Sequence, residues 1–167
     1  MIKKLIASIR QYKKESILTS VYVTLESIFE ILIPTLMAYL IDYGINKEDM
    51  SYVLSMGLIL FILAIISLLT GFLAGRSAAI ASSGFARNLR RDMFYNVQKF
   101  SFSNIDKFSA ASIITRLTTD VTNVQNAYQM LIRLAVRAPM MIVFALIFSF
   151  RINIHLSVIF LAVIPVL

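Results

Sequence analysis

The stretch DKFSAASIITRLTTDVTNVQ, residues 106–125, lies inside a polar segment, residues 76–137, that is set between apolar runs and yet reads as helix almost throughout. That segment contains no proline and a single glycine, Gly84, and its hydrophobic residues recur at helical spacing. Loops between membrane spans are normally short and rich in turn-forming residues. Their scarcity here predicts two membrane helices that continue far beyond the bilayer.

Composition agrees with a membrane location. At 59% hydrophobic residues and a mean hydropathy of +0.81, a chain of 167 residues is too apolar for a soluble domain. The net charge of +7 does not point to nucleic acid, because most basic residues flank apolar spans and no separate basic domain exists. The chain has no cysteine, which excludes disulfides and thiolate metal sites. The first apolar run carries Glu26 and Glu30 and lacks a small-residue cleavage site, which argues against a secretory signal.

Residues 1–16 have Ile2, Leu5, Ile6 and Ile9 on one helical face and Lys3, Lys4, Arg10, Lys13 and Lys14 around the rest, the pattern of a helix lying in the headgroup plane. A first span is expected over 17–42, kinked at Pro34, followed by a short outer loop framed by Tyr39, Tyr43 and Tyr52. The second span, 52–75, runs on through an apolar stripe of Phe85, Leu89, Met93, Val97 and Phe100, giving one helix of ~70 Å against a hydrocarbon core of ~30 Å. Gly71 and Gly75 begin a run of small residues suited to close helix packing. After a break, Ile114, Leu117, Val121, Val124, Tyr128, Leu131 and Ala135 form a heptad-like seam. Arg116 and Asp120, four residues apart, are placed to pair on the side away from it. The helix re-enters the membrane as a third span at 132–150, turns at Arg151 and Asn153, and begins a fourth at 152–167, too short to complete a crossing. The chain thus reads as an all-α membrane protein with a helical hairpin at 76–131, and as the amino-terminal part of a longer polypeptide. Five Lys/Arg precede the first span, one (Lys47) lies in the outer loop and nine lie in 76–137, which places the amino terminus and the hairpin in the cytoplasm.

This order of elements resembles the membrane domain of ATP-binding-cassette exporters. Phe108, Ser109, Ile113, Ile114, Thr115, Arg116, Leu117, Thr118, Thr119, Asp120 and Val121 are similar to the family's first intracellular-loop motif. RLAVRAPMM, residues 133–141, is similar to a segment of half-transporters that pair as heterodimeric multidrug exporters. The resemblance covers the whole chain and about four of the family's six spans. It implies that Ser103, Asn104, Ile105, Asp106, Lys107 and Phe108 form a transverse coupling helix touching nucleotide-binding domains. It further implies a second half-transporter subunit, identical or not, export across the plasma membrane, and ATP with Mg as cofactors of the absent nucleotide-binding domains. Many family members carry glycine shortly after the coupling helix; Ser109, Ala110 and Ala111 stand here instead, which predicts a stiffer start to the next helix. Phe100, Phe102, Ile105 and Phe108 have two readings, as a cap on the hairpin's own core and as an apolar tip for a partner.

No catalytic constellation can be assembled, and no Walker A string is present, so ATP chemistry does not reside on these residues. His155, the sole histidine, builds no metal site. The costly residues are Glu26 and Glu30, carboxylates within a span that share a helix face. They suit either structural pairing with Arg133 or Arg137, one turn apart at a membrane edge, or a cavity that receives substrate. Counting ~1.5 Å per residue puts Glu26 ~13 Å deep and Arg137 at a similar depth. A membrane-anchored sensor without transport is the rival reading, and it predicts a signalling domain after a span; a secondary transporter is a third, whose loops need no ~40 Å helical extensions. For the topology, single cysteines at Arg90 and Thr119 are expected to react with an impermeant thiol reagent only from the cytoplasmic side. Labelling from outside intact cells would reverse the assigned orientation.

Overall fold

The computed structural model describes Leu5 and residues 7–100, 109–152 and 154. The expected coupling segment at 103–108, nearly all of the expected fourth span and most of the first turn of the amino-terminal helix lie outside these residues. The described chain is built on helices α1 (Lys13–Tyr39), α2 (Met50–Val97), α3 (Ala110–Thr115) and α4 (Val121–Ile152). A 3₁₀ turn, Arg10–Tyr12, leads into α1, and π-helical turns occupy Leu40–Ile45 and Arg116–Asp120. Among the described residues three helical stretches, Arg10–Ile45, Met50–Val97 and Ala110–Arg151, are long and apolar enough to cross a membrane. α2 is a single helix of 48 residues, as the uninterrupted pattern requires, but it stops at Val97 rather than Phe100. α4 carries Pro139 inside it and continues through Arg151 and Ile152, so the expected outer turn does not begin at Arg151.

Two compact units divide the chain, one from Met1–Ser20 and Ala74–Arg133, the other from Val21–Leu73 and Leu134–Leu167. In the second unit α2 turns large apolar side chains outward, among them Leu54, Phe61, Leu68 and Phe72, each more than 60% exposed. A surface of this kind is stable only against lipid or another apolar partner. Its hydroxyls are satisfied within their own helices: Ser27 donates to the Val23 carbonyl, Thr35 to Ile31 and Thr70 to Ile66. Such internal bonding is what an apolar solvent demands of polar side chains. At the connection to α2, Tyr39 stacks on Tyr43 with ring centroids 6.1 Å apart, and Lys47 sits 4.6 Å over the Tyr43 ring. Asp49 then caps α2 by accepting from the Tyr52 N–H.

The first unit is organised by the small-residue run of α2. Ala74, Ser77, Ala78, Ala81, Ser82, Gly84 and Phe85 are buried, at helical spacing along one face. Gly84 faces the Tyr12 ring so closely that a Cβ there would overlap it. Phe85 packs on Tyr128 of α4 with centroids 4.6 Å apart, and the Tyr128 hydroxyl lies 2.7 Å from Ser16 Oγ. Further along α2, buried Asn88 donates to the Ser8 carbonyl at 2.9 Å, and Arg10 reaches both oxygens of Asp92 at 2.9 and 3.2 Å. Residues 8–12 therefore hold to α2 through their own contacts, with a turn at Ser8 and Ile9 and a left-handed φ of 43° at Arg10.

The α3–α4 seam keeps Leu117, Val121, Val124 and Tyr128 turned inward, with Val121 almost fully buried. Its ends depart from the heptad reading: Ile114 and Leu131 are about 60% exposed, while Ile113 and Ile132 take the partly covered positions. The π turn Arg116–Asp120 adds a residue to one turn and rotates the face before it, and beyond it a straight helix drifts away from a strict seven-residue repeat. Threonine hydroxyls bond back along this stretch, Thr118 to Ile114 and Thr122 to Thr118, and occupy carbonyls that an altered ladder leaves short of partners.

Gly84→Ala and Gly75→Ala bring the same gain in helix propensity, but only the first meets a neighbour, since nothing lies within 4 Å of a Cβ at Gly75. Gly84→Ala is expected to be less stable than Gly75→Ala by about 1–3 kcal/mol in detergent unfolding. The difference should disappear in a Tyr12→Ala background.

Candidate functional site

Three charged residues of the apolar unit, Glu26, Glu30 and Arg137, meet at one place. Glu26 and Glu30 lie one turn apart on α1, so both carboxylates project from one face. Arg137 on α4 donates from Nη2 to Glu30 Oε1 at 2.6 Å, and its Nη1 lies 3.9 Å from Glu26 Oε1. The first contact is a charge-assisted hydrogen bond; the second is Coulombic only, being beyond hydrogen-bond reach. Counting by depth set Arg137 opposite Glu26, whereas the short contact is made to Glu30, one turn further along. Among the described residues, Arg133 makes no ion pair.

A third helix makes room for the cluster. A Cβ at Gly71 of α2 would stand 3.0 Å from Glu26 Oε1 and 3.3 Å from its Cδ. Gly71 is thus a floor for a carboxylate, a role that the Gly71/Gly75 spacing, read as a packing cue alone, does not reveal. Its partner Gly75 faces open space. The side chains of Glu26 and Glu30 are 15% and 30% exposed, and Oε2 of each is buried without a hydrogen-bond partner among the described residues. Two carboxylates against one guanidinium leave a formal excess of one negative charge. The arrangement has spare acceptors and no spare anion-binding capacity, so chemically it suits a cationic or hydrogen-donating group.

The intracellular-loop residues sit elsewhere. Arg116 and Asp120 are the first and last residues of the π turn, and both are exposed. Ser109, the N-cap of α3, adopts φ 55° and ψ 142°, the left-handed side of backbone space that favours glycine, and its Oγ accepts from the Ser112 N–H at 3.3 Å. The strain therefore falls on the cap, ahead of the alanines. Beside it, a cavity of about 190 Å³ opens between Met93, Val97 and Phe100 on one side and Ile113, Arg116 and Leu117 on the other.

Residues 17–167 match the family described as the ABC transporter transmembrane region. The chain is 34% identical over 166 residues, 99% of its length, to the uncharacterized ABC transporter ATP-binding protein YfiB of Bacillus subtilis, covering 29% of that protein. It is 26% identical over 159 residues, 95% of its length, to an uncharacterized ABC transporter ATP-binding protein of Mycobacterium tuberculosis, covering 27% of it. It is also 27% identical over 163 residues, 98% of its length, to the ATP-dependent lipid A-core flippase of Pseudoalteromonas translucida, covering 28% of it. The chain spans under a third of the length of these relatives.

In double-mutant cycles on the full-length protein in lipid nanodiscs, Glu30→Gln with Arg137→Gln is expected to show a coupling of about 1 kcal/mol or more. Glu26→Gln with Arg137→Gln should give a smaller value. Equal couplings, or none, would contradict the geometry.

Proposed function

The chain belongs to the ABC transporter transmembrane region family, and on that premise we propose that it forms the first part of the membrane domain of an ATP-driven exporter. The observation that carries this reading is the pair of long helices, α2 and α4, each combining a membrane-length apolar stretch with residues packed into the polar unit. Helices of this kind transmit a displacement at one end to the other, because a packed helix moves as a body. In the proposed cycle, nucleotide-binding domains hold ATP and Mg outside this chain and close on nucleotide. Ser103, Asn104, Ile105, Asp106, Lys107 and Phe108 receive that motion, and α2 with α4 carry it into the bilayer. Arg116 and Asp120, on the π turn just after α3, lie where a helix of mixed hydrogen bonding is most readily re-registered.

The substrate side of the proposal rests on the Glu26, Glu30 and Arg137 cluster. An excess carboxylate inside a membrane unit favours lipophilic molecules with a cationic or donor group. An amphiphilic substrate also accords with relatives named as lipid A-core flippases. A second half-transporter subunit, identical or not, completes the path, since the outward apolar surface of the α2 span is extensive. The basic flanks favour a cytoplasmic amino terminus and hairpin, at the plasma membrane.

The test is ATP-dependent accumulation of a lipophilic cationic dye in inside-out vesicles bearing the full-length protein. Glu26→Gln combined with Glu30→Gln is expected to lower accumulation on the order of tenfold while basal ATP hydrolysis persists, as loss of ~1.4 kcal/mol of charge recognition corresponds to tenfold. A cysteine at Ile105 should cross-link to the nucleotide-binding domain. ATP binding with neither transport nor that cross-link would favour the sensor reading.

A further inference from the structure

The groove beside Tyr12 has a chemistry that the transport reading does not use. It is a depression of about 420 Å³ in the polar unit, lined by Tyr12, Ala79, Ile80, Ser83, Gly84 and Arg87. Its floor is apolar, made by the Tyr12 ring against Gly84 together with Ala79 and Ile80. Its polar edge is Ser83 and Arg87, and no carboxylate lines it. Arg87 is exposed and makes no ion pair among the described residues. Ser83 Oγ accepts from Gln125 Nε2 at 3.4 Å, which leaves its own O–H free to donate. Lys13 and Lys14, both exposed, follow Tyr12 directly in the chain.

Position along α2 adds a second constraint. The apolar run of this helix ends at Leu73 and its first charge is Arg76, so Ile80 to Arg87 lie about one to three turns beyond that charge. At ~1.5 Å per residue Ile80 stands ~6 Å past Arg76, within the headgroup layer, and Arg87 ~16 Å past it. Cα–Cβ bonds in a helix tilt toward its N-terminus, so Arg87 leans back toward Ser83 and Ile80, toward the membrane side of its own helix. A long basic side chain above an aromatic and aliphatic floor is the arrangement that holds a charged head next to an acyl chain.

We propose that the groove of Tyr12, Ile80, Ser83 and Arg87 binds one anionic phospholipid, its phosphate on Arg87 and Ser83 and its glycerol and upper acyl chain on the Tyr12 and Ile80 floor. The occupant is a membrane lipid rather than free phosphate because half of the lining is apolar, which an inorganic anion would not use. Bound lipid ties the segment that precedes α1 to the polar turns of α2, both of which contribute to this unit. The proposal depends only on the chain lying in a membrane, and it stands whether or not the protein transports.

The full-length protein, reconstituted with a photoactivatable phosphatidylglycerol, is expected to cross-link through Tyr12 or residues 79–87, and excess phosphatidylglycerol should compete while phosphatidylcholine and inorganic phosphate should not. Phosphatidylglycerol retained after detergent washing should fall about fivefold in Arg87→Gln and be kept in Arg87→Lys, the scale expected of one basic residue at an anionic lipid surface. Cross-links confined to other segments, equal competition by phosphatidylcholine, displacement by inorganic phosphate, or undiminished retention in Arg87→Gln would each overturn the proposal. Cross-linking of the wild-type protein tests the site even where a variant fails to fold.

Discussion

Close backbone approach along the small-residue face of α2 is the constraint on which the polar unit depends. Ala74, Ser77, Ala78, Ala81, Ser82 and Gly84 present almost no side-chain bulk, so the Tyr12 ring can lie against the helix itself. Phe85 and Tyr128 then close the neighbouring contact, and Ser16 meets the Tyr128 hydroxyl. Each of these contacts is modest alone. They act together because all require the same short interhelical distance, which a single larger residue would prevent.

Polar groups are treated differently in the two units, and the difference follows from the solvent each is built for. In the polar unit several bridge elements, Asn88 to the Ser8 carbonyl, Arg10 to Asp92 and Arg90 to Thr122, beside hydroxyls such as Thr118 and Thr122 that bond back along their own helix. In the apolar unit the serine and threonine hydroxyls mostly return to their own helix. The exception is the cluster of Glu26, Glu30 and Arg137, where three ionisable groups converge beside a glycine. A cost of that kind in a membrane-length segment persists only where it supports folding specificity or function. The Oε2 atoms, unpartnered among the described residues, mark the cluster as incompletely satisfied by the donors around it.

The junction of α3 and α4 combines an N-cap serine in a glycine-favouring conformation with a π turn. Both are departures from the regular helix on either side, and both lie next to a cavity lined by Met93, Ile113 and Leu117. Regular helix transmits displacement, while a turn of altered hydrogen bonding absorbs it. The irregular turns thus stand at the junction of α3 and α4, while α2 runs uninterrupted.

Much of this architecture is legible in the residues. The 48-residue α2 follows from the absence of proline throughout Met50–Val97 and of glycine after Gly84, and the inward positions of Phe85, Leu89, Met93 and Val97 follow from their spacing. The concentration of carboxylates at Glu26 and Glu30 is equally visible, because an acid in an apolar run has no neutral explanation. Local pattern and composition suffice for these, being properties of one helix at a time. Other features arise only when segments separated by many residues meet. That Arg137 bonds Glu30 more closely than Glu26, and that Gly71 rather than Gly75 shelters a carboxylate, depend on the relative rotation of three helices. The shift of the seam from Ile114 to Ile113 depends on a π turn that a heptad count cannot register. Sequence by itself determined which helices exist and which faces are apolar, since periodicity and hydration act locally. Tertiary structure alone decided which side chains touch, because an Ångström of approach or a few tens of degrees of helix rotation selects among neighbours that the pattern leaves equivalent.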